Sequence, residues 1–195
     1  MKIVQVGTNN SLDDCHKYVI NHKDEIEKVY LIEPLSMCNP HIKEAYKNIK
    51  NFKIFNIAIS PVANKKVIKM FVPTNISKIQ HSSINRQHLT AHNHESIFEI
   101  EVECFTLDEF FKLNNITECD RLYIDAEGSD CEILLNFNLD KFDIKYIEFE
   151  HLHADGYPRI NELKGEVYKP CVEKLKQYGY SVKKKDRLNT IAEKL

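Results

Sequence analysis

The sequence contains no tryptophan, only five glycines and six prolines, and four arginines among its 27 basic residues. So little glycine and proline excludes a collagenous, low-complexity or loop-dominated chain. No apolar run approaches the ~20 residues that a membrane-spanning helix needs, so no membrane partner is expected. Lys+Arg 27 against Asp+Glu 29 leaves a formal net charge of -2 and a pI near 6.5. Phosphate binding draws on a concentrated basic surface, so this balance predicts no nucleic-acid partner. Cys15, Cys38, Cys104, Cys119, Cys131 and Cys171 form no C-x-x-C and no paired cluster, which argues against a secreted disulfide framework. Met1-Lys2 runs straight into Ile3 to Gly7, too short for a signal-peptide core, so the expectation is a soluble, cytoplasmic protein with free thiols. Also missing are G-x-x-x-x-G-K-[ST] and a full G-x-G-x-x-G, which disfavours a phosphate loop and a nicotinamide-dependent oxidoreductase.

What remains is enough for a sizeable core: 43% hydrophobic residues, with 10 Phe and 9 Tyr in 195 residues, the size of one domain. Short β-branched runs alternate with amphipathic stretches, the signature of an α/β fold. Strands are predicted at Lys2 to Val6, Val29 to Ile32, Lys53 to Ile59, Arg121 to Asp125 and Lys145 to Phe149. Helices are predicted at Leu12 to Ile20 (capped by Ser11), His41 to Ile49, Leu107 to Leu113 after Thr106, Cys131 to Asn136, and Leu163 to Tyr178. Tyr180 to Lys183 and Thr190 to Ala192 close the chain as an antiparallel pair. An inserted hairpin and lid is expected at about 65–105, with strands Lys65 to Val72 and Phe98 to Phe105 flanking a polar loop, Pro73 to Ser96. That loop carries His81, Ser82, Ser83, Arg86, His88, His92 and His94. Its length exceeds that of ordinary connections and suggests a lid facing substrate. The expectation is one domain over 1–195, a three-layer, doubly wound, mostly parallel sheet.

In such sheets ligands bind beyond the carboxyl ends of the strands. The residues at those ends are Gly7-Thr8-Asn9, Glu33-Pro34, Ala58-Ile59-Ser60, Asp125-Ala126-Glu127-Gly128 and Glu150-His151-Leu152-His153. This rim is polar and acidic with almost no cations. It suits a cationic ligand, such as an adenosyl cofactor with sulfonium and ammonium groups, better than a pyrophosphate. Gly7 permits a sharp turn and close approach of a ligand, and Glu33 stands where an acid accepts the two hydroxyls of a ribose.

The order V-G-T-N-N, L-I-E-P, I-A-I-S, S-S, T-L-D-E-F-F and I-D-A-E-G-S-D-C-E-I-L resembles the FkbM-type S-adenosylmethionine-dependent methyltransferases, a branch of the class I methyltransferase fold. The resemblance runs from Val4 to about Leu152; its most specific part is Leu107-Asp108 with Ile124 to Gly128. It implies S-adenosyl-L-methionine as cofactor and methylation of a hydroxyl on a sugar or small metabolite. By likeness Gly7 and Asn9 line the methionine part, and Thr8 belongs to the cofactor-binding set. Glu33 holds the ribose, with Pro34 in the cofactor-binding set; Ala58 and Ile59 flank the adenine, and Asp125 faces the transfer site. Gln5 replaces an acid usual in the family and Ser11 replaces a glycine, so a degenerate, non-catalytic adenosyl- or nucleotide-binding module is the alternative.

A hydroxyl acceptor calls for a general base or a metal. The candidate catalytic residues are Asp125, Glu127, Glu150 and His151, with His153 beside them. Asp125 and Glu150 would end neighbouring strands and could share a divalent ion, although H-x-H alone is weak support for a metal. Ser83 is a candidate hydrogen-bond donor to cofactor or substrate; it has no hydrolase context. Cys131, early in a helix, is read as a buried, inert thiol. Lys183-Lys184-Lys185 reads as charge protecting an edge strand. The acceptor, the oligomeric state and any metal are not legible in the sequence.

Overall fold

The computed structural model describes residues 1–156 and 165–195. The chain runs β1 (Lys2–Val6), α1 (Asp14–Asn21), β2 (Lys28–Ile32), α2 (Asn39–Ala45), β3 (Phe52–Phe55), β4 (Ala58–Ile59), β5 (Val67–Pro73), α3 (Arg86–Ala91) and β6 (Ile97–Phe105). It continues through α4 (Leu107–Leu113), β7 (Glu118–Ile124), α5 (Asp130–Asn136), β8 (Asp143–Glu150), α6 (Tyr168–Gln177), β9 (Tyr180–Lys184) and β10 (Asn189–Lys194). The predicted start of the last helix, Leu163, lies outside the described residues.

Among the described residues seven strands form one sheet in the order β3-β2-β1-β7-β8-β10-β9. From β3 to β8 all neighbours are parallel, and β10 lies antiparallel between β8 and β9, as the sequence predicts. The period-two alternation divides each central strand between two cores. Ile3, Val29, Leu31 and Tyr123 pack on one face with Cys15 and Val19 of α1 and Ile42 of α2. Val4, Val6, Ile32, Leu122 and Ile124 pack on the other with Phe110 of α4, Leu134 of α5 and Leu175 of α6. The result is the three-layer, doubly wound sheet that the sequence predicts. All six cysteines are buried and free. No described helix is long and apolar enough to cross a membrane.

Three local expectations are corrected. The strand predicted over Lys53 to Ile59 is two strands: β3 stays in the main sheet, whereas β4 pairs with β6 in a second sheet, β4-β6-β5. The break falls at Asn56, whose side-chain amide donates to the Glu33 carbonyl at 2.9 Å and turns the chain out of the sheet. The loop from Pro73 to Ser96 is not structureless. It holds a 3-10 segment, Ile76–His81, and α3, whose first turns are capped by the side chains of Asn75 and Asn85. Finally, α1 is capped by Asp13 and not by Ser11, which sits in the left-handed region at φ 62°.

Candidate functional site

The strand order reverses between β2 and β7 on either side of β1, so the crevice opens at the carboxyl ends of β1, β2 and β7. β1 ends in Gly7 at φ +78°, and the amides of Gly7 and Thr8 both donate to the Ile32 carbonyl at 3.0 and 3.2 Å. A Cβ on Gly7 would fall 1.8 Å from the Asp125 carbonyl oxygen. Glycine is therefore demanded by strand-end packing, a more stringent reason than the ligand approach inferred from sequence. Asn9 is left-handed at φ 44°, and its amide donates to Glu33 Oε2 at 2.7 Å. Leu35 donates to the other oxygen, Oε1, at 2.9 Å. Burial raises Glu33 to about 7, with those two amide bonds opposing the shift.

These groups edge a cleft of about 230 Å³, floored by Ile57, Ala58, Ile59, Met70 and Ile79. Gly7, Asn9, Glu33, Pro34, Ala58, Ile59, Ser83, Asp125 and Glu127 all line it, whereas Thr8 is buried behind it with its hydroxyl towards the Ile32 carbonyl. No Lys or Arg among the described residues lines this cleft. An acid at one end, an apolar floor and acids at the mouth match a cationic adenosyl cofactor in chemistry. Ser83 is already committed: its hydroxyl donates to the Glu127 carbonyl and accepts from the Asn85 amide, both at 3.0 Å, which ties the inserted segment to the loop after β7. Gln5 donates to Asp13 Oδ2 at 2.6 Å, so the cap of α1 places a carboxylate beside the Gln5 amide.

At the mouth, ligand oxygens of Asp125, Glu127 and Glu150 all lie within 4.8 Å of one another. Glu127 holds a left-handed backbone, φ 52°, a strained conformation for a residue with a side chain. Asp125 faces solvent at the rim, and desolvation by the surrounding groups, with the charge of Glu127 and then Asp13, raises it to about 7. Burial raises Glu127 to about 8, and burial with Asp125 and Glu127 raises Glu150 to about 8. Asp130, unassigned by the sequence, is fully buried beneath the loop. It accepts from the amides of Ala126 and Glu150 and so joins the ends of β7 and β8. The last acid of D-A-E-G-S-D was its only sequence signal.

His151 stands apart from this trio. Its Nδ1 lies 3.1 Å from Thr190 Oγ1, and its ring packs on Tyr168 at 5.1 Å between centroids. His153 instead meets His88 and His92 of the inserted segment, and the sequence reading passed over the H-x-x-x-H spacing of that pair. The Cys131 thiol is raised by its hydrogen bond with Cys171 and by burial, the reverse of what a helix start alone would do. Lys185 is more than edge protection, since it pairs with Asp14 at 2.6 Å and Glu148 at 2.7 Å.

A family model described as "Methyltransferase FkbM domain" matches residues 5–182. No curated protein matches the chain. Among solved structures, a fibrillarin/Nop5p complex is similar at 13% identity and TM-score 0.50, covering 100% of this chain and 72% of that one. Aeropyrum pernix fibrillarin with natively bound S-adenosyl-L-methionine gives 13% identity and TM-score 0.49, covering 98% of this chain. An rRNA methylase from Streptococcus thermophilus gives 11% identity and TM-score 0.49, covering 100% of this chain and 87% of that one. This chain spans 65% of the length of the Aeropyrum pernix fibrillarin and of a Methanococcus jannaschii fibrillarin described as a pre-rRNA processing protein. The expectation that nucleic acid plays no part is corrected: it rested on the chain-wide charge alone, and the neighbours of this fold include proteins named for rRNA methylation and pre-rRNA processing. A chain-wide charge of -2 averages over the surface, whereas phosphate contact depends on local clusters of Lys and Arg.

Proposed function

The chain belongs to the methyltransferase FkbM domain family, and on that premise we propose that it methylates a hydroxyl of a sugar or small metabolite. The observation that carries this reading is the convergence of Asp125, Glu127 and Glu150 beside a cleft lined by Asp125, Glu127 and Glu33. S-adenosyl-L-methionine, the cofactor of this family, supplies an electrophilic methyl group on a sulfonium when bound. Glu33, with Pro34 beside it, takes the ribose hydroxyls; Gly7 and Asn9 shape the methionine side; Ala58 and Ile59 flank the adenine. Asp125, raised to about 7, is matched to accept a hydroxyl proton near neutral pH, with Glu127 and Glu150 close beside it. Most of the acceleration in such an in-line displacement comes from positioning and a matched field.

Ribose is itself a sugar, so an RNA hydroxyl belongs in the acceptor class; the rRNA methylase and fibrillarin neighbours support testing it. The test is calorimetry with S-adenosylmethionine, followed by transfer of labelled methyl to parallel panels of glycans, hydroxylated metabolites and RNA. Binding followed by label in a hydroxyl of any panel supports the reading. No heat from folded protein rejects it. Binding with no transfer across all three panels favours the non-catalytic module.

A further inference from the structure

The inserted segment and the turn after β8 bring together histidines that the proposed methyl transfer does not use. His88 and His92 stand four residues apart, on one face of adjacent turns at α3, and His153 arrives from the opposite rim. One ligand nitrogen from each lies within 4.8 Å of the others. Ring centroids are 4.5 Å apart for His88 and His92, 5.2 Å for His88 and His153, and 5.5 Å for His92 and His153. Glu127 Oε2 lies 2.9 Å from His88 Nε2, so a carboxylate adjoins the imidazoles.

We propose that His88, His92 and His153 form a binding site for one divalent transition-metal ion of the zinc type, with the Glu127 side chain beside it.

Neutral imidazole is a borderline ligand that suits zinc and its neighbours in the first transition row, and three histidines are a known zinc set that leaves a further coordination position. Packing alone is a poor account of the cluster. Apolar side chains would fill the same space without crowding titratable rings that repel one another once protonated. A surrounding shell is present too. The His81 ring lies tilted against His92 at 4.3 Å between centroids, and its Nδ1 lies 2.8 Å from His94 Nε2, so the insertion supplies a second layer of imidazoles. Hard cations such as magnesium prefer all-oxygen sites and are not the expected occupant.

The test uses the full chain without a polyhistidine tag, stripped with chelator and titrated with zinc chloride against a chromogenic competitor. The expected result is one equivalent per chain, and cobalt chloride should give the visible absorption of a low-coordinate nitrogen site. His92→Gln and His153→Gln are partly accessible positions that should fold; each should lose ~100-fold or more in zinc affinity. His41→Gln, on α2 and away from the cluster, should bind as wild type does. Wild-type protein that takes up no zinc, or both variants retaining full affinity, would overturn the site. Thermal unfolding without metal confirms that each variant is folded. No methyl donor enters the assay, so the outcome is independent of the proposed transfer reaction.

Discussion

Gly7 and Asp125 touch backbone to backbone: a Cβ added to Gly7 would lie 1.8 Å from the Asp125 carbonyl oxygen. The amide of Asp125 donates to Val6 at 2.9 Å, so the end of β1 and the acid at the cleft mouth are one rigid unit. Gly7→Ala must either open that contact or leave its φ of +78°. The expected loss is at least about 3 kcal/mol, at the upper end of ordinary single-residue effects. Urea denaturation measures it, and a loss below the error of the method would show that the two strand ends can separate freely.

Ser11 should be improved by substitution. It is left-handed at φ 62°, and its buried hydroxyl finds no hydrogen-bond partner among the described residues. Ser11→Gly removes both the steric strain and the unsatisfied oxygen, and is expected to stabilise by about 1 kcal/mol. Thermal unfolding reads this as a higher Tm; a lower Tm would mean that the hydroxyl has a role in the fold.

Glu33→Gln should weaken cofactor binding. One side-chain oxygen that accepts an amide would become an N–H facing it, which loosens Asn9 or Leu35 and removes the anionic acceptor. The expected fall in affinity is ~10- to 100-fold by calorimetry with S-adenosylhomocysteine. Unchanged affinity would reject the ribose assignment.

Asp125→Asn should separate chemistry from binding. If Asp125 takes the hydroxyl proton, kcat falls by about 10²-fold or more while cofactor affinity stays close to that of the wild type. Equal losses in both would place the side chain on the cofactor instead.

Stability without ligands should fall as pH rises from about 6.5 to 8. Glu33 and Asp125 are raised to about 7, and Glu127 and Glu150 to about 8, against ordinary carboxyl values near 4. The folded state therefore binds more protons than the unfolded chain in this window, and raising the pH withdraws that stabilisation. His81, His88 and His153, lowered to about 4, act oppositely: their contribution is lost as pH falls below ~6.5, so it leaves the upper window untouched. Melting curves across the range should show the drop, smaller in Glu150→Gln. A flat or rising Tm would contradict the raised acids.

Much of this was written into local sequence. The period-two runs of Ile3 to Val6 and Val29 to Ile32 define two-faced strands whatever their neighbours are. Gly7 and the D-A-E-G turn mark where strands end, and strand ends are where ligands of such sheets bind. The rest depended on contacts between segments far apart in the chain, which no local period encodes. Asn56 splits a strand because the Glu33 carbonyl is there to accept its amide. Asp130 becomes a clasp because two strand ends meet above it. His88 and His92 meet His153 only once the inserted hairpin folds over the turn after β8. Sequence alone set the period, the turns and the supply of acids and imidazoles. Tertiary packing decided which of them face one another, because burial and proximity, which shift a proton or group ligands together, are properties of the assembled surfaces.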